Sequence, residues 1–280
     1  MTPLRVTAVL SGGGVKAAAH LGAVRALVEF GLSPTRYIGT SMGAVMAAAL
    51  AAGREPAGIF ETAAGLRRRD LARLSAGALV RGVFAEALLH PEPLERALEM
   101  LVPARHFGEL IHPLTVTAVD LDSGLLVRFG AGGEEALLHD ALYAACALPL
   151  WYPPRVLGGR RLADGGLRGP LPLEVAGEFP ADLLVAVDAG PGTDAVPRTG
   201  RMAPPPLLRI HGEATGALMA RTTELEVALW RATPNRPELI YLRPVAERGA
   251  TFAVREITRY EKAGYESTMA ALAERQKARA

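Results

Sequence analysis

Ser41 stands in Gly39-Thr40-Ser41-Met42-Gly43, a Gly-x-Ser-x-Gly that closes a short β-leaning run and leads directly into an Ala-rich stretch, residues 44–52. A serine between a strand's end and a helix's start can project its hydroxyl above a sheet, and small flanking residues suit the tight turn this needs. The chemistry it could do is nucleophilic attack. That requires a base for the hydroxyl proton and donors for the oxyanion that attack on a carbonyl creates. Gly and Ser are common, so the pentapeptide alone is equally compatible with an ordinary turn.

Two further glycine-marked stretches could supply what Ser41 needs. Ser11-Gly12-Gly13-Gly14 follows an apolar run, residues 6–10, and precedes a helical pattern. Successive N–H groups of Gly12, Gly13 and Gly14 can converge as donors, and the following helix turns its positive end toward them. A phosphate loop is a poor alternative, because Lys16 lacks the Walker spacing and is not followed by Ser or Thr. A dinucleotide fingerprint fits poorly too, since the glycines are consecutive and no acidic residue ends a second strand near Tyr37. Asp164, in Asp164-Gly165-Gly166, is the best base. With an ordinary pKa of about 3.9 an aspartate is a weak one, so it must be held against the hydroxyl to act. Standing alone, Asp-Gly-Gly would read as a β-turn.

The elements around these residues alternate as an α/β protein requires. Residues 6–10 read as a buried first strand, 15–30 as a helix stopped by Gly31, 37–39 as a second strand and 44–52 as a second helix. Together they predict a mostly parallel sheet with helices on its faces. Residues 55–74 read as helical and 77–89 as a helix or partly exposed cap, broken by Pro91 and Pro93 before a short helix at 94–101. Arg67-Arg68-Arg69 reads as a solvated helix face, with contact to an anionic lipid surface as its functional alternative. Residues 114–119 and 125–129 predict a hairpin, 134–145 a helix, 183–188 a buried strand, 191–206 an exposed loop, 210–230 a helix, 238–242 a late strand and 257–278 a terminal helix. The domain expectation is a core over 1–190 with a helical cap-like segment at about 55–101, completed within the same domain by 191–280.

Composition bounds the rest. Of 280 residues 50% are apolar and 21% charged, a globular balance, and 31 basic against 29 acidic residues leave a formal charge of +2. No electrostatic footprint for nucleic acid follows, so none is expected as a partner. Cys146 is the single cysteine and reads as a buried small hydrophobe; no disulfide framework or multi-cysteine metal site is available. The histidines His20, His90, His106, His112, His139 and His211 form no convincing metal cluster with the aspartates, so no metal is expected. No signal-peptide pattern and no apolar run near 20 residues is present, which leads us to expect a cytoplasmic protein with peripheral membrane-surface contact.

In order and spacing, residues 11–22, 39–43 and 164–166 resemble the three motifs of the patatin-like phospholipase family. The resemblance implies a three-layer α/β fold with a mostly parallel central sheet, a nucleophile elbow between strand and helix, and a Ser-Asp dyad without a catalytic histidine. Ser41 matches the nucleophile, Asp164 the dyad aspartate, and Gly12, Gly13 and Gly14 the oxyanion loop. Lys16 takes that loop's basic position, where it could support the loop or attract an anionic head group. Gly22 matches a glycine further along, and Ala17 departs from the glycine common after the basic residue. Residues 144–154 resemble the family's small-residue and proline stretch, with Cys146 where serine is frequent.

The activity implied is hydrolysis of a lipid ester through an acyl-enzyme, without cofactor, by a lipase, phospholipase A or lysophospholipase. Leu148, Pro149, Trp151 and Tyr152 could meet the acyl chain or merely pack the core. Two alternatives stand beside this expectation. One is a general esterase with a Ser41-Asp164-His211 triad; the other is a catalytically silent lipid-binding protein. Head group, chain length and oligomeric state are not fixed by the residues.

Overall fold

A computed structural model describes residues 4–192, 205–247 and 252–279. Strand β1 (Val6–Leu10) passes through the glycine loop and a 3-10 turn at Gly14–Ala17 into α1 (Ala18–Glu29). β2 (Arg36–Thr40) enters α2 (Met42–Ala51) across Ser41. Four helices follow: α3 (Pro56–Gly65), α4 (Arg68–Leu71), α5 (Ala76–Arg81) and α6 (Pro91–Leu101). The hairpin is β3 (Leu114–Asp120) with β4 (Leu126–Gly130), and α7 (Leu138–Cys146) comes after it. β5 (Arg155–Leu157), β6 (Arg160–Asp164), α8 (Leu173–Ala176) and β7 (Leu183–Val187) precede the long α9 (Pro206–Ala232). β8 (Glu238–Leu242) and α10 (Ile257–Arg279) complete the order.

Several expected boundaries move for physical reasons. The first helix begins at Ala18, because the chain leaves the glycine loop through the tighter 3-10 turn. The helix expected over 55–74 divides at Leu66, whose extended backbone separates α3 from α4 while Leu66 and Leu71 both stay buried. Pro91 starts α6 rather than delaying it: at the first helical turn proline's missing N–H costs nothing and its fixed φ suits the helix. Residues 134–137 stay out of α7, since Glu134 pairs with the end of β4. Of the proline-rich stretch expected as a loop at 191–206, residues 193–204 lie outside the described residues.

Among the described residues one 8-stranded sheet runs β5-β6-β3-β2-β1-β7-β8, with β4 paired to β3. From β3 through β8 the pairings are parallel, while β4, β5 and β6 join antiparallel. The register on β3 sets the site. Thr117 pairs with Thr40 and Arg128, and Ala118 pairs with Val127 and Asp164. Since β4 occupies one edge at both positions, β2 and β6 must share the other. The last residue of β2 and the last residue of β6 therefore meet at adjacent positions along β3.

Alternation along β1 divides the interior into two layers. Val6, Ala8 and Leu10 join a large core with α1, α2, α6, α7 and α10, whereas Val9 faces a smaller one with Ile38, Leu184, α8 and the C-terminal part of α9. Helices, sheet and helices make three layers. α2 is apolar all round and buried from Gly43 to Ala51, as expected of a helix packed beneath a sheet end and covered by its neighbours.

Candidate active site

Ser41 is the hinge between β2 and α2, with φ 54° and ψ −137°. A positive φ is costly for a side-chain-bearing residue, of the order of 1–3 kcal/mol, and persists only where the surroundings impose it. They do so through the flanking glycines. A Cβ on Gly39 would lie 2.5 Å from the Ala44 Cα, and one on Gly43 would fall on the Leu10 and Ser11 carbonyls. The turn is thus clamped between its own helix and the end of β1.

Asp164 ends β6 and is buried. Its Oδ1 accepts from the Gly166 N–H at 2.8 Å, and the Ser41 side chain stands beside it, close enough to favour its ionised form. Burial raises its pKa to about 6, an effect that the Gly166 N–H and the neighbouring Ser41 hydroxyl offset only in part. Below the carboxylate, Thr40 and Thr117 share a 2.6 Å hydrogen bond, and the Asp164 N–H donates to the Ala147 carbonyl at 3.1 Å. Backbone and side chain of Asp164 are both fixed.

Cys146 is the third group at this point. Its buried thiol adjoins Ser41, lies 4.0 Å from the Met42 Sδ and is within the field of Asp164. Desolvation pushes its pKa well above the ordinary thiol value, so it stays protonated. Reading it as a small buried hydrophobe accounts for its burial and misses this contact. The available signal was its position in the small-residue stretch where the related motif frequently has a serine.

The glycine loop separates into two roles. The Gly12 N–H donates to the Pro170 carbonyl at 3.1 Å, so it is not free to receive an oxyanion; a Cβ there would instead lie 3.1 Å from that of Ser41. The N–H groups of Gly13 and Gly14 have no hydrogen-bond partner among the described residues. Ser11 holds the loop from below: its Oγ accepts from the Ala189 N–H at 2.8 Å and donates to the Gly12 carbonyl at 2.9 Å. His20 is buried and donates from Nε2 to the Ser11 carbonyl at 2.9 Å, and burial lowers its pKa to about 4, keeping it neutral.

Lys16 is buried and donates to the Gly190 and Glu247 carbonyls at 2.8 and 2.9 Å, with its pKa lowered to about 8 by burial. Both bonds tie the turn after the glycine loop to chain following β7 and β8. Ala189, Gly190 and Pro170 were invisible as site residues in the sequence, because they act through backbone atoms. His211 is exposed on α9, and no hydrogen bond among the described residues joins its ring to Ser41 or Asp164.

A small apolar cleft of about 30 Å³ runs beside the elbow. Its walls include Gly14, Met42, Met46, Leu66, Leu71 and Ile257, and none of Leu148, Pro149, Trp151 and Tyr152. Those four lie in the turn after Cys146. Trp151 packs edge-on against Phe252, and the buried Tyr152 donates its hydroxyl to the Leu71 carbonyl at 2.6 Å. No helix among the described residues is long and apolar enough to cross a membrane, and no group of three or more His, Cys, Asp or Glu among them could hold a metal ion.

A mostly parallel sheet between helical layers, with a serine elbow at the end of one strand and a glycine loop at the end of its neighbour, defines a three-layer α/β protein of the patatin type. The chain belongs to the patatin-like phospholipase family, whose model matches residues 8–176. An uncharacterized NTE family protein of Mycobacterium tuberculosis is 35% identical over 198 residues, 69% of this chain and 52% of that protein. The chain thus spans about half the length of such relatives. A lysophospholipase of Mycosarcoma maydis is 27% identical over 197 residues, 68% of this chain and 10% of that protein. Among solved structures, VipD from Legionella pneumophila superposes with a TM-score of 0.51 at 18% identity, covering 97% of this chain and 67% of that one, a likeness of fold.

Proposed function

We propose that the chain is a serine acyl-ester hydrolase acting on lipid esters through a Ser41-Asp164 dyad. The observation that carries this reading is the buried Asp164 carboxylate set beside the side chain of a serine held at positive φ, close enough for Ser41 to favour its ionised form. Asp164 takes the Ser41 proton as Oγ attacks the ester carbonyl, and the tetrahedral oxyanion is received by the Gly13 and Gly14 N–H groups. Asp164 returns the proton to the leaving alcohol as the C–O bond breaks, which leaves an acyl-Ser41. It then accepts a proton from water, and the hydroxide equivalent attacks the acyl carbonyl to release a fatty acid and restore Ser41.

Raising Asp164 toward neutrality improves it as a base at physiological pH, since an acid of pKa about 6 holds the transferred proton far better than an ordinary aspartic acid. The walls of the small cleft beside Met42 are apolar, as contact with hydrocarbon requires, and family membership together with the lysophospholipase relative favours lipid over small hydrophilic esters. In this reading Lys16 supports the loop rather than receiving a head group, since its ammonium is already engaged by two carbonyls.

The test is intact-mass analysis after exposure to a fluorophosphonate, with the labelled peptide mapped. Native protein should gain one adduct on Ser41, absent in Ser41→Ala and slowed by more than roughly a hundredfold in Asp164→Ala, the scale of a lost general base. Unlabelled, folded native protein would exclude the hydrolase and leave lipid binding without turnover.

A further inference from the structure

Residues 73–90 form a small flap beside the turn that follows Cys146. Leu74 and Leu89 make an antiparallel bridge, the Ser75 N–H donates to the Leu88 carbonyl at 2.9 Å, and the His90 N–H donates to the Arg73 carbonyl at 2.9 Å. The flap is moored to the turn that follows Cys146: the Leu88 and Leu89 N–H groups donate to the Leu150 and Trp151 carbonyls, each at 2.9 Å. Just before it in the chain, Leu66 and Leu71 turn inward and wall the cleft beside Met42.

The outer end of the flap is the opposite of what a solvated loop needs. Val80 is 88% exposed and Phe84 87%, with Leu74 60% exposed nearer the base. Two nearly bare apolar side chains four residues apart expose hydrocarbon that water disfavours and no other part of the described chain covers. The same stretch of chain is rich in cations. Over residues 66–90 stand Arg67, Arg68, Arg69, Arg73 and Arg81, all exposed, against Asp70 and Glu86. Arg73 pairs with Glu92 and Arg69 lies 3.9 Å from Asp70, while Arg67, Arg68 and Arg81 make no salt bridge among the described residues.

We infer that the flap is an interfacial anchor: Phe84 and Val80 insert into the surface of an anionic lipid bilayer, and the exposed arginines of residues 67–81 hold its head groups, so that the cleft beside Met42 opens against the lipid. Exposed apolar tips in an arginine-rich segment match a surface that is negative outside and hydrocarbon within. A second copy of the chain fits less well, since a face-to-face pairing would bring two arginine-rich segments together. The inference rests on the hydrolase reading only for its purpose; the anchoring itself does not require turnover.

The two are separated by testing binding on the Ser41→Ala chain. Its flotation with vesicles of mixed phosphatidylcholine and phosphatidylglycerol should exceed that with phosphatidylcholine alone and fall with added salt. Adding Val80→Asp and Phe84→Asp should weaken vesicle partition roughly tenfold or more, from the loss of two buried apolar side chains and the gain of two repelled charges. Ile111→Asp, at a site 70% exposed ahead of the opposite end of β3, should leave partition unchanged. With Ser41 intact, the flap variant should keep its turnover of a soluble short-chain ester and lose roughly tenfold on vesicle lipid. Equal partition of native and flap-variant chains would overturn the inference. So would a concentration-dependent dimer, seen by sedimentation, that Phe84→Asp dissolves while vesicles bind neither form. Vesicle binding that depends on the flap in a native chain that hydrolyses no ester would uphold the anchor and remove the hydrolase.

Discussion

Ser41 carries a conformational cost that its chemistry explains and its stability does not. At φ 54° a glycine would sit without penalty, so Ser41→Gly should be more stable than Ser41→Ala by about 1 kcal/mol, read as a higher urea midpoint, with both variants unlabelled by fluorophosphonate. Cys146 poses a subtler case. If its S–H steadies the Ser41 hydroxyl toward Asp164, a bond of about 1 kcal/mol is at stake, and Cys146→Ala should label roughly fivefold more slowly while Cys146→Ser keeps most of the rate. Equal rates in all three would reduce the thiol to packing. Ser41 and Asp164 were legible in the sequence because local turn chemistry marks them with glycine. Cys146 was not, since what makes it important is a contact between the end of α7 and the start of α2, and no local pattern encodes that.

At the scale of elements, most strands and helices could be read from apolar runs and their period, because those signals are local. Their partners were hidden. Nothing in residues 160–164 announces that β6 shares the β3 edge with β2, yet that register brings Asp164 to Ser41. The proline effects at residues 91–93 were misjudged for a related reason: the same ring that ends one helix can begin another, and only position decides. α1 and α10 show how a hidden partner explains a visible residue. A Cβ on Gly22 would fall on the Glu261 carbonyl and one on Gly264 on the Ala19 carbonyl, so the two helices cross with backbones in contact. Gly264→Val should separate them at a cost of about 3 kcal/mol. Because α1 carries the glycine loop, fluorophosphonate labelling should slow along with a lowered melting temperature; unchanged labelling in a destabilised chain would show the loop to be held independently of this crossing, through Ser11 and Lys16.

For the molecule as a whole, pH should set activity against stability. Burial raises Asp164 to about 6 from 3.8, and Glu226 to about 7 from 4.5. Glu226 projects from α9 with its carboxylate against Gly169 and accepting the Leu173 N–H at 3.2 Å, so it bears on the segment that continues from Asp164. Each group binds its proton more tightly folded than unfolded. Its stabilising contribution is full below the unfolded pKa and is lost as pH rises through the folded one. His20, lowered to about 4 from 6.5, works the other way, and its contribution is complete once pH passes 6.5. Between about pH 6.5 and 7.5 the carboxyl effect therefore stands uncompensated by His20. Glu226→Gln should flatten the decline in that window and stabilise the chain by the order of 2 kcal/mol at the upper end. Asp164→Asn should gain a comparable amount, most of it already present near pH 6.5, while losing labelling altogether. Over the same range the native labelling rate should rise with an apparent pKa of about 6 as Asp164 ionises, so the chain would work best where its site is least stable. Melting temperature and labelling rate measured together across this range decide the matter. Parallel rise of both in the native protein would mean that the ionised Asp164 is stabilised in the fold, and that burial does not set its role as a base.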